Sequence, residues 1–348
     1  MARALDAPRV GITGIGTCVP DRVLTNAELA RFVETDDEWI AERTGIRERR
    51  ISDPGVGASD LSVPAARDAL AQAGVDPHEL DLVIVATITP DMPFPATASV
   101  VAESLGAHEV AAYDMQAGCT GFVYGVSQAY GAIASGLARR VLVVGVDLLT
   151  KYVDWHDRGT CILFGDGAGA AVVEPVAEGG FLAFQLGNDG SHVDDLLVPA
   201  GGSRSRGTPL EQDRRKYAME MNGREVFKFA TRVMVTSAEQ VLAQAGMGVD
   251  DVDVYVPHQA NKRIIDHAVK TLGVPTEKVF VNVDRYGNTS AASIPLCLGE
   301  GTRNGTIRPG QTVLMTGVGT GLTWGSALIT WSEPGSGLDR EDGGGEPA

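Results

Sequence analysis

Apolar residues along the chain collect in short runs, and stretches with helical spacing separate them. RVGITGIGTCV, LDLVIVATIT, HEVAAYDMQ, RRVLVVGVDL, GAAVVEPV, VDVYVPH, VFVNVD, QTVLMTGVG and WGSALITW all read as strands. Several are near-continuous Val/Ile/Leu runs, the pattern of strands covered on both faces. Strand alternating with helix predicts an α/β protein.

The pattern also repeats. LAQAG at Leu70–Gly74 returns at Leu242–Gly246, LDLVIVA aligns with VDVYVPH at the same offset, and VLVVG at Val141–Gly145 aligns with VLMTG at Val313–Gly317. Asp114 answers Asp284 at nearly that offset. So long a period excludes a solenoid and predicts two similar α/β halves, residues 1–175 and 176–332. GGSRSRGTPLEQDRRKYAMEMNGRE, near the junction, has the least periodicity and reads as loops and cap. Residues 333–348, acidic and Gly-rich, read as a disordered tail.

Charge narrows the partners. The chain holds 29 basic and 45 acidic residues, a net of −16, which disfavours nucleic acid. The 43 glycines show no collagen period. Four cysteines, at 18, 119, 161 and 297, form no CxxC pair and His spacing suggests no metal site. No apolar run approaches the roughly 18 residues that span a bilayer. These features predict a cytoplasmic protein without membrane or metal.

In open α/β sheets ligands bind beyond the C-terminal strand ends, where loops and helix starts converge. Candidate chemistry lies there in both halves. AAYDMQAGCTGF places Cys119 among small residues in a strand-to-helix turn, where a helix N-terminus favours a thiolate and predicts a pKa near ~6–7. VDVYVPHQANKRI sets His258 just past a buried strand, and VNVDRYGNTSAAS sets Asn288 at a position nearly equivalent to Cys119 by the internal repeat. Singly, a buried cysteine or histidine is more often plain core. Three strand ends delivering Cys, His and Asn to one crevice predict a covalent acyl site. Such a set also suits a papain-type hydrolase. In a decarboxylating site the thiolate carries an acyl group while neutral His and Asn stabilise an enolate. GDGAGA at 165–170 imitates a dinucleotide loop, but a strand follows where the fingerprint needs a helix.

QAGCTGF, VPHQANKRI, YGNTSAAS and TGLTWGSAL resemble the signature segments of the β-ketoacyl-[acyl-carrier-protein] synthase III family of thiolase-like enzymes. TDDEWIAERTGIRERR, DWHDRGTCILFGDGAGAA and MNGREVFK extend the resemblance over roughly residues 8–332. It implies a five-layered αβαβα fold and a homodimer. It also implies condensation of an acyl-CoA primer with malonyl-acyl carrier protein through Cys119, His258 and Asn288, with acyl-CoA as substrate and no cofactor. The implied oxyanion hole joins the cysteine's own N–H to the loop Gly319, Thr320 and Gly321. Trp39 and Arg43 match a pair that sandwiches the CoA adenine, with Thr35 and Arg158 beside them, and Gly223 and Asn261 match the pantetheine tunnel. Lys228, Arg263 and Lys270 match a carrier-protein docking surface, unusual charge in so acidic a chain. Met92 and Phe94 match a segment that closes the partner's acyl pocket, and Phe122 and Phe164 are expected to line it.

Two segments depart from the family pattern: the cysteine turn reads AGCTGF, and in the C-terminal loop Thr320 and Val318 replace a usual glycine and aromatic. These leave open a starter-unit enzyme or acyltransferase of a specialised pathway that forms no carbon–carbon bond. A plant-type polyketide synthase lacks support because its GFGPG loop is missing. A non-catalytic partner subunit would lack the nucleophile.

Overall fold

The structure, a computed structural model, describes residues 8–205 and 214–338. Two sheets carry the fold. The first contains β1 (Val10–Cys18), β2 (Leu82–Ala86), β3 (Ala111–Met115), β4 (Val141–Leu148) and β5 (Asp166–Pro175), in the order β1-β5-β4-β2-β3. The second contains β6 (Gly180–Asn188), β7 (Val254–Pro257), β8 (Thr312–Gly319) and β9 (Thr323–Thr330), in the order β7-β8-β9-β6.

The sheets repeat one another. In the first, β4 runs parallel to β2 and antiparallel to β5, which is antiparallel to β1. In the second, β8 runs parallel to β7 and antiparallel to β9, which is antiparallel to β6. The counterpart of β3 is reduced to one bridge, Tyr255 to Val279, so VFVNVD is not the full strand its apolar run suggests.

Helices form the remaining layers. α1 (Asp37–Thr44) falls in the chain between two short antiparallel segments, Val23–Thr25 and Glu48–Arg50. α2 (Ala58–Ala73) and α3 (Thr97–Leu105) cover the outer face of the first sheet. α4 (Gly121–Ala134) and α7 (Ser293–Arg303) lie between the sheets, and α5 (Gly223–Ala245) and α6 (Lys262–Leu272) cover the second sheet. This is the expected αβαβα stack. The repeated LAQAG segments end α2 and α5, each stopped by a left-handed glycine, Gly74 and Gly246.

Strands whose runs look uniformly apolar sort their residues by alternation. Ile84 and Val143 face the middle layer, as do Val256 and Met315 from the other sheet. Val83, Val85, Leu142 and Val144 face α2 and α3, while Tyr255 and Leu314 face the opposite outer layer. Each such fully buried aliphatic side chain contributes about 1.5–3 kcal/mol, and the doubly covered sheets leave few exceptions.

The final segment differs from expectation in part. Residues 333–338 lie against β1 and β5: Gly335 N donates to Thr13 O and Leu338 N to Pro175 O. The rest of the expected disordered tail, from 339 on, lies outside the described residues, as does 206–213 of the cap segment.

Candidate active site

Cys119 sits in a single 3-10 turn, Gly118–Thr120, that runs directly into α4. Gly118 has φ +56°, and a Cβ there would stand 2.7 Å from Thr320 N. Glycine alone fits both the backbone and the close approach of the hairpin between β8 and β9. Asn288 occupies the related place in the other half, just before the turn Ser290–Ala292 that leads into α7. His258 follows β7 directly, its N–H donating to Thr316 O at 2.7 Å.

All three line one outer cavity of about 220 Å³, with Arg43, Phe164, Gly223, Asn261 and Gly319 among the other walls. Cys119, Phe164 and Leu196 also border a second, inner cavity of about 200 Å³. Its remaining lining includes Ile88, Leu149, Val198, Met219 and Thr320. The nucleophile candidate therefore stands at the junction of two chambers.

The electrostatics of the site follow its burial. His258 is 1% exposed, and burial pushes its imidazole from 6.5 down to about 3, so the ring is neutral at working pH. Its Nδ1 lies 2.6 Å from the Ser293 hydroxyl. Asn288 Oδ1 accepts from Ser290 N at 2.9 Å, which leaves its Nδ2 for the cavity. The Ser290 hydroxyl donates to Cys119 Sγ at 3.3 Å.

The thiol corrects the expectation of a low pKa. Burial is the largest effect and, with the nearby Asp147 carboxylate, outweighs the Ser290 hydrogen bond and pushes Cys119 up to about 12. A helix N-terminus offers only about half a unit of positive charge, and burial of the thiol outweighs it.

Thr320 lines the inner cavity, and its hydroxyl donates to Leu196 O. A Cβ on Gly319 would stand 2.6 Å from Cys119 N, so that glycine brings the hairpin against the Cys119 amide. Gly321 completes the turn, with φ +128°.

Beside Arg43, a wall of the outer cavity, the Trp39 ring has two guanidinium groups near it, Arg43 at 5.5 Å and Arg158 at 4.5 Å from its centroid. Arg158 also donates to Glu34 O at 3.1 Å, and the Thr35 hydroxyl is buried without a hydrogen-bond partner. Asn261 caps α6, its Oδ1 accepting from Arg263 N. Lys228 on α5 pairs with Glu225 at 2.7 Å, and the Arg263 guanidinium stands 5.7 Å from the ring of Phe227, a wall of the cavity. Lys270 is exposed in the last turn of α6, seven residues along from Arg263.

Phe122, Met92 and Phe94 line neither cavity. Phe122 is wholly buried between the two sheets, because it lies on the inner face of α4, which both sheets cover. Met92 and Phe94 are 42% and 81% exposed on the loop before α3. Conversely, local sequence pattern does not mark Ser290, Ser293 or Asp147. The two serines lie within GNTSAAS, whose small polar character was the available signal; Asp147 ends an apolar strand and gave none.

No group of three or more His, Cys, Asp or Glu among the described residues could hold a metal ion. No helix among them is long and apolar enough to cross a membrane.

Comparison with known proteins agrees with this geometry. Profiles for 3-oxoacyl-[acyl-carrier-protein] synthase III match residues 113–190, and for its C-terminal region residues 242–331. A β-ketoacyl-[acyl-carrier-protein] synthase III of Symbiobacterium thermophilum is 55% identical over 92% of this chain and 98% of its own. The crystal structure of the synthase III from Thermus thermophilus is 47% identical, with a TM-score of 0.87 over 92% of this chain and 99% of that one. The priming β-ketosynthase of a polyketide biosynthetic pathway is 37% identical, with a TM-score of 0.89 over 96% of this chain and 99% of that one. Near-complete coverage at such identity, on a thiolase-like fold, leaves one assignment: the chain belongs to the β-ketoacyl-[acyl-carrier-protein] synthase III family, and it is an acyltransferase of that condensing kind.

Proposed function

We propose that the chain initiates fatty acid or polyketide synthesis by condensing an acyl-CoA primer with malonyl-acyl carrier protein, in two steps at Cys119. The observation that carries this reading is the placing of Cys119, His258 and Asn288 around one cavity, with an apolar chamber behind the sulfur. In the first step Sγ attacks the thioester carbon. The bond to CoA sulfur breaks, and CoA leaves as the thiol with the proton that Cys119 gives up. The oxyanion faces the Cys119 N–H and the Gly319–Thr320–Gly321 hairpin.

In the second step malonyl-carrier protein loses carbon dioxide. With Ser293 donating to His258 Nδ1, Nε2 carries the hydrogen, and Nε2–H and Asn288 Nδ2–H stabilise the enolate oxygen. The enolate carbon attacks the acyl carbon, the bond to Sγ breaks, and the released Cys119 thiolate takes a proton from solvent as the β-ketoacyl carrier leaves. Trp39, Arg43, Arg158 and Thr35 receive the nucleotide end of CoA, Gly223 and Asn261 flank the pantetheine, and the inner cavity takes the acyl chain. Lys228, Arg263 and Lys270 present positive charge to an acidic carrier.

The working unit we propose is a cytoplasmic homodimer. β3 is an edge strand with Tyr113 40% exposed, and Phe94 is exposed as well. An open apolar edge of this kind suits pairing with a second copy, which would bring Met92 and Phe94 to the partner's acyl chamber. The halves 1–175 and 176–332 divide the work, one giving the nucleophile and the other the enolate donors.

Intact mass after incubation with a panel of acyl-CoAs, followed by malonyl-carrier protein, tests the reading. The expected result is one acyl adduct on Cys119, cleared as carbon dioxide and β-ketoacyl product appear. Loading cleared without carbon dioxide release would make this chain a plain acyltransferase, and no loading by any primer would refute the assignment.

A further inference from the structure

The outer and inner cavities meet at three residues, since Cys119, Phe164 and Leu196 border both. Cys119 is bound into the turn Gly118–Thr120 at the start of α4. Phe164 is 3% exposed and is fixed by its flanking backbone, with Gly165 N donating to Asn288 O at 3.0 Å and Asn288 N to Leu163 O at 2.8 Å. Leu196 has less behind it. It stands on a two-residue strand, Leu196–Leu197, that forms a two-stranded ladder with Glu220–Met221. A ladder of two short strands is marginally stable on its own.

Thr320 supplies what that ladder lacks. Its hydroxyl donates to Leu196 O. Its methyl lies toward the cysteine turn, where a Cβ on Gly118 would stand 2.8 Å from Thr320 Cγ2. One side chain therefore reaches two of the three elements that frame the passage. The hairpin that carries it is firmly seated: Asp189 N donates to Leu322 O at 2.9 Å, Leu322 N to Asp189 O at 3.1 Å, and the Thr323 hydroxyl to Ala117 O at 2.8 Å. A glycine at 320 would keep these bonds and lose the grip on Leu196.

We propose that Thr320 is a positioning residue that sets primer selectivity: through Leu196 it holds the passage narrow where the first carbons of the acyl chain must cross. In the loading step Sγ bonds to the acyl carbon and CoA leaves as the thiol. The carbonyl carbon then sits at the junction, and the next carbons thread between Phe164 and Leu196. A methyl branch beside the carbonyl adds width at that point, whereas chain length is read further in, by the inner cavity. The primer class is a straight-chain acyl-CoA, with branching beside the carbonyl disfavoured by the passage.

The inference rests on the proposed acylation of Cys119. Its test compares a straight acyl-CoA with the isomer branched beside the carbonyl: butyryl-CoA with isobutyryl-CoA, or a longer pair of the same kind. Initial rates of adduct formation at subsaturating primer are read by intact mass on the full chain. The straight isomer should load faster on the unsubstituted protein, and the reverse order overturns the inference. Thr320→Val keeps the side-chain shape and removes the hydroxyl; the branched-to-straight ratio should rise about 3- to 10-fold, the worth of one hydrogen bond. Thr320→Ser keeps the hydroxyl and should hold the original ratio. Leu196→Ala opens the passage directly and should raise the ratio, and adding Thr320→Val to it should change little more, because both act at one place. A merely structural loss would slow both isomers alike. A ratio unmoved or lowered in Thr320→Val therefore overturns the inference, as does an equal rise in Thr320→Ser or full additivity with Leu196→Ala. Should Thr320→Val not fold, Thr320→Ala against Thr320→Ser carries the same comparison. No adduct from any primer would sink the acylation reading itself, whereas adducts whose ratio ignores the hydroxyl overturn this inference alone.

Discussion

His258 is held at the cavity by one side-chain hydrogen bond, Nδ1 to the Ser293 hydroxyl at 2.6 Å, inside an environment that keeps the ring neutral. A neutral imidazole offers one N–H and one lone pair, and enolate stabilisation needs the N–H on Nε2. Ser293→Ala leaves Nδ1 buried without that partner. An unpaired buried nitrogen costs about 1–3 kcal/mol, and the ring recovers it by changing tautomer or turning. At about 1.4 kcal/mol per tenfold, decarboxylation should slow by about 5- to 150-fold. Loading of Cys119 should fall by a much smaller factor, because the oxyanion donors are backbone amides that Ser293 does not touch. Rapid-quench measurement of adduct formation and of labelled carbon dioxide from malonyl-carrier protein separates the two steps. Equal losses in both steps, or no loss in decarboxylation, would refute this role for the imidazole. A second check is the pH profile of decarboxylation by the unsubstituted protein. With the ring titrating near 3, no inflection should appear around pH 6.5.

Cys119→Ala should abolish the acyl adduct, and an unchanged adduct would place the nucleophile elsewhere. Val198→Phe narrows the inner cavity of about 200 Å³ and should move the preferred primer in the mass panel to shorter chains. Lys228→Glu with Arg263→Glu should raise KM for malonyl-carrier protein severalfold at low salt, leave loading by acyl-CoA unaltered, and lose effect as salt screens the surface. Stability should change with pH in two windows. The unfolded chain binds a proton on His258 below 6.5 that the folded chain refuses until about 3, so stability from this group falls across that range in acid. Cys119 acts in reverse: its folded thiol keeps a proton that the unfolded chain releases near 9, so stability falls from there toward about 12. Urea midpoints across pH check both signs, and Cys119→Ala and His258→Ala should each flatten their own window.

The sequence by itself determined the α/β class, the duplication and the catalytic candidates, and each for a local reason. Strands covered on both faces must be continuously apolar, so RRVLVVGVDL and QTVLMTGVG stand out without any knowledge of their neighbours. A repeated chain folds to repeated sheets, which is why a single offset relates α2 to α5 and β4 to β8. Cys119, His258 and Asn288 are legible because each is a polar or reactive residue beside glycine or proline shortly after an apolar run. Tertiary structure decided what depends on distance through space. Whether an aliphatic residue is core or cavity wall is a property of what lies opposite it, so Phe122 went to the middle layer while Leu196, Val198 and Met219 became the inner chamber. The thiol pKa departs from the local expectation for the same reason: the helix N-terminus is written in the sequence, but the depth of burial and the Asp147 carboxylate arrive from other elements. Local pattern sets secondary structure through sterics and periodicity; desolvation, which fixes pocket shape and charge, is set only when distant elements exclude water together.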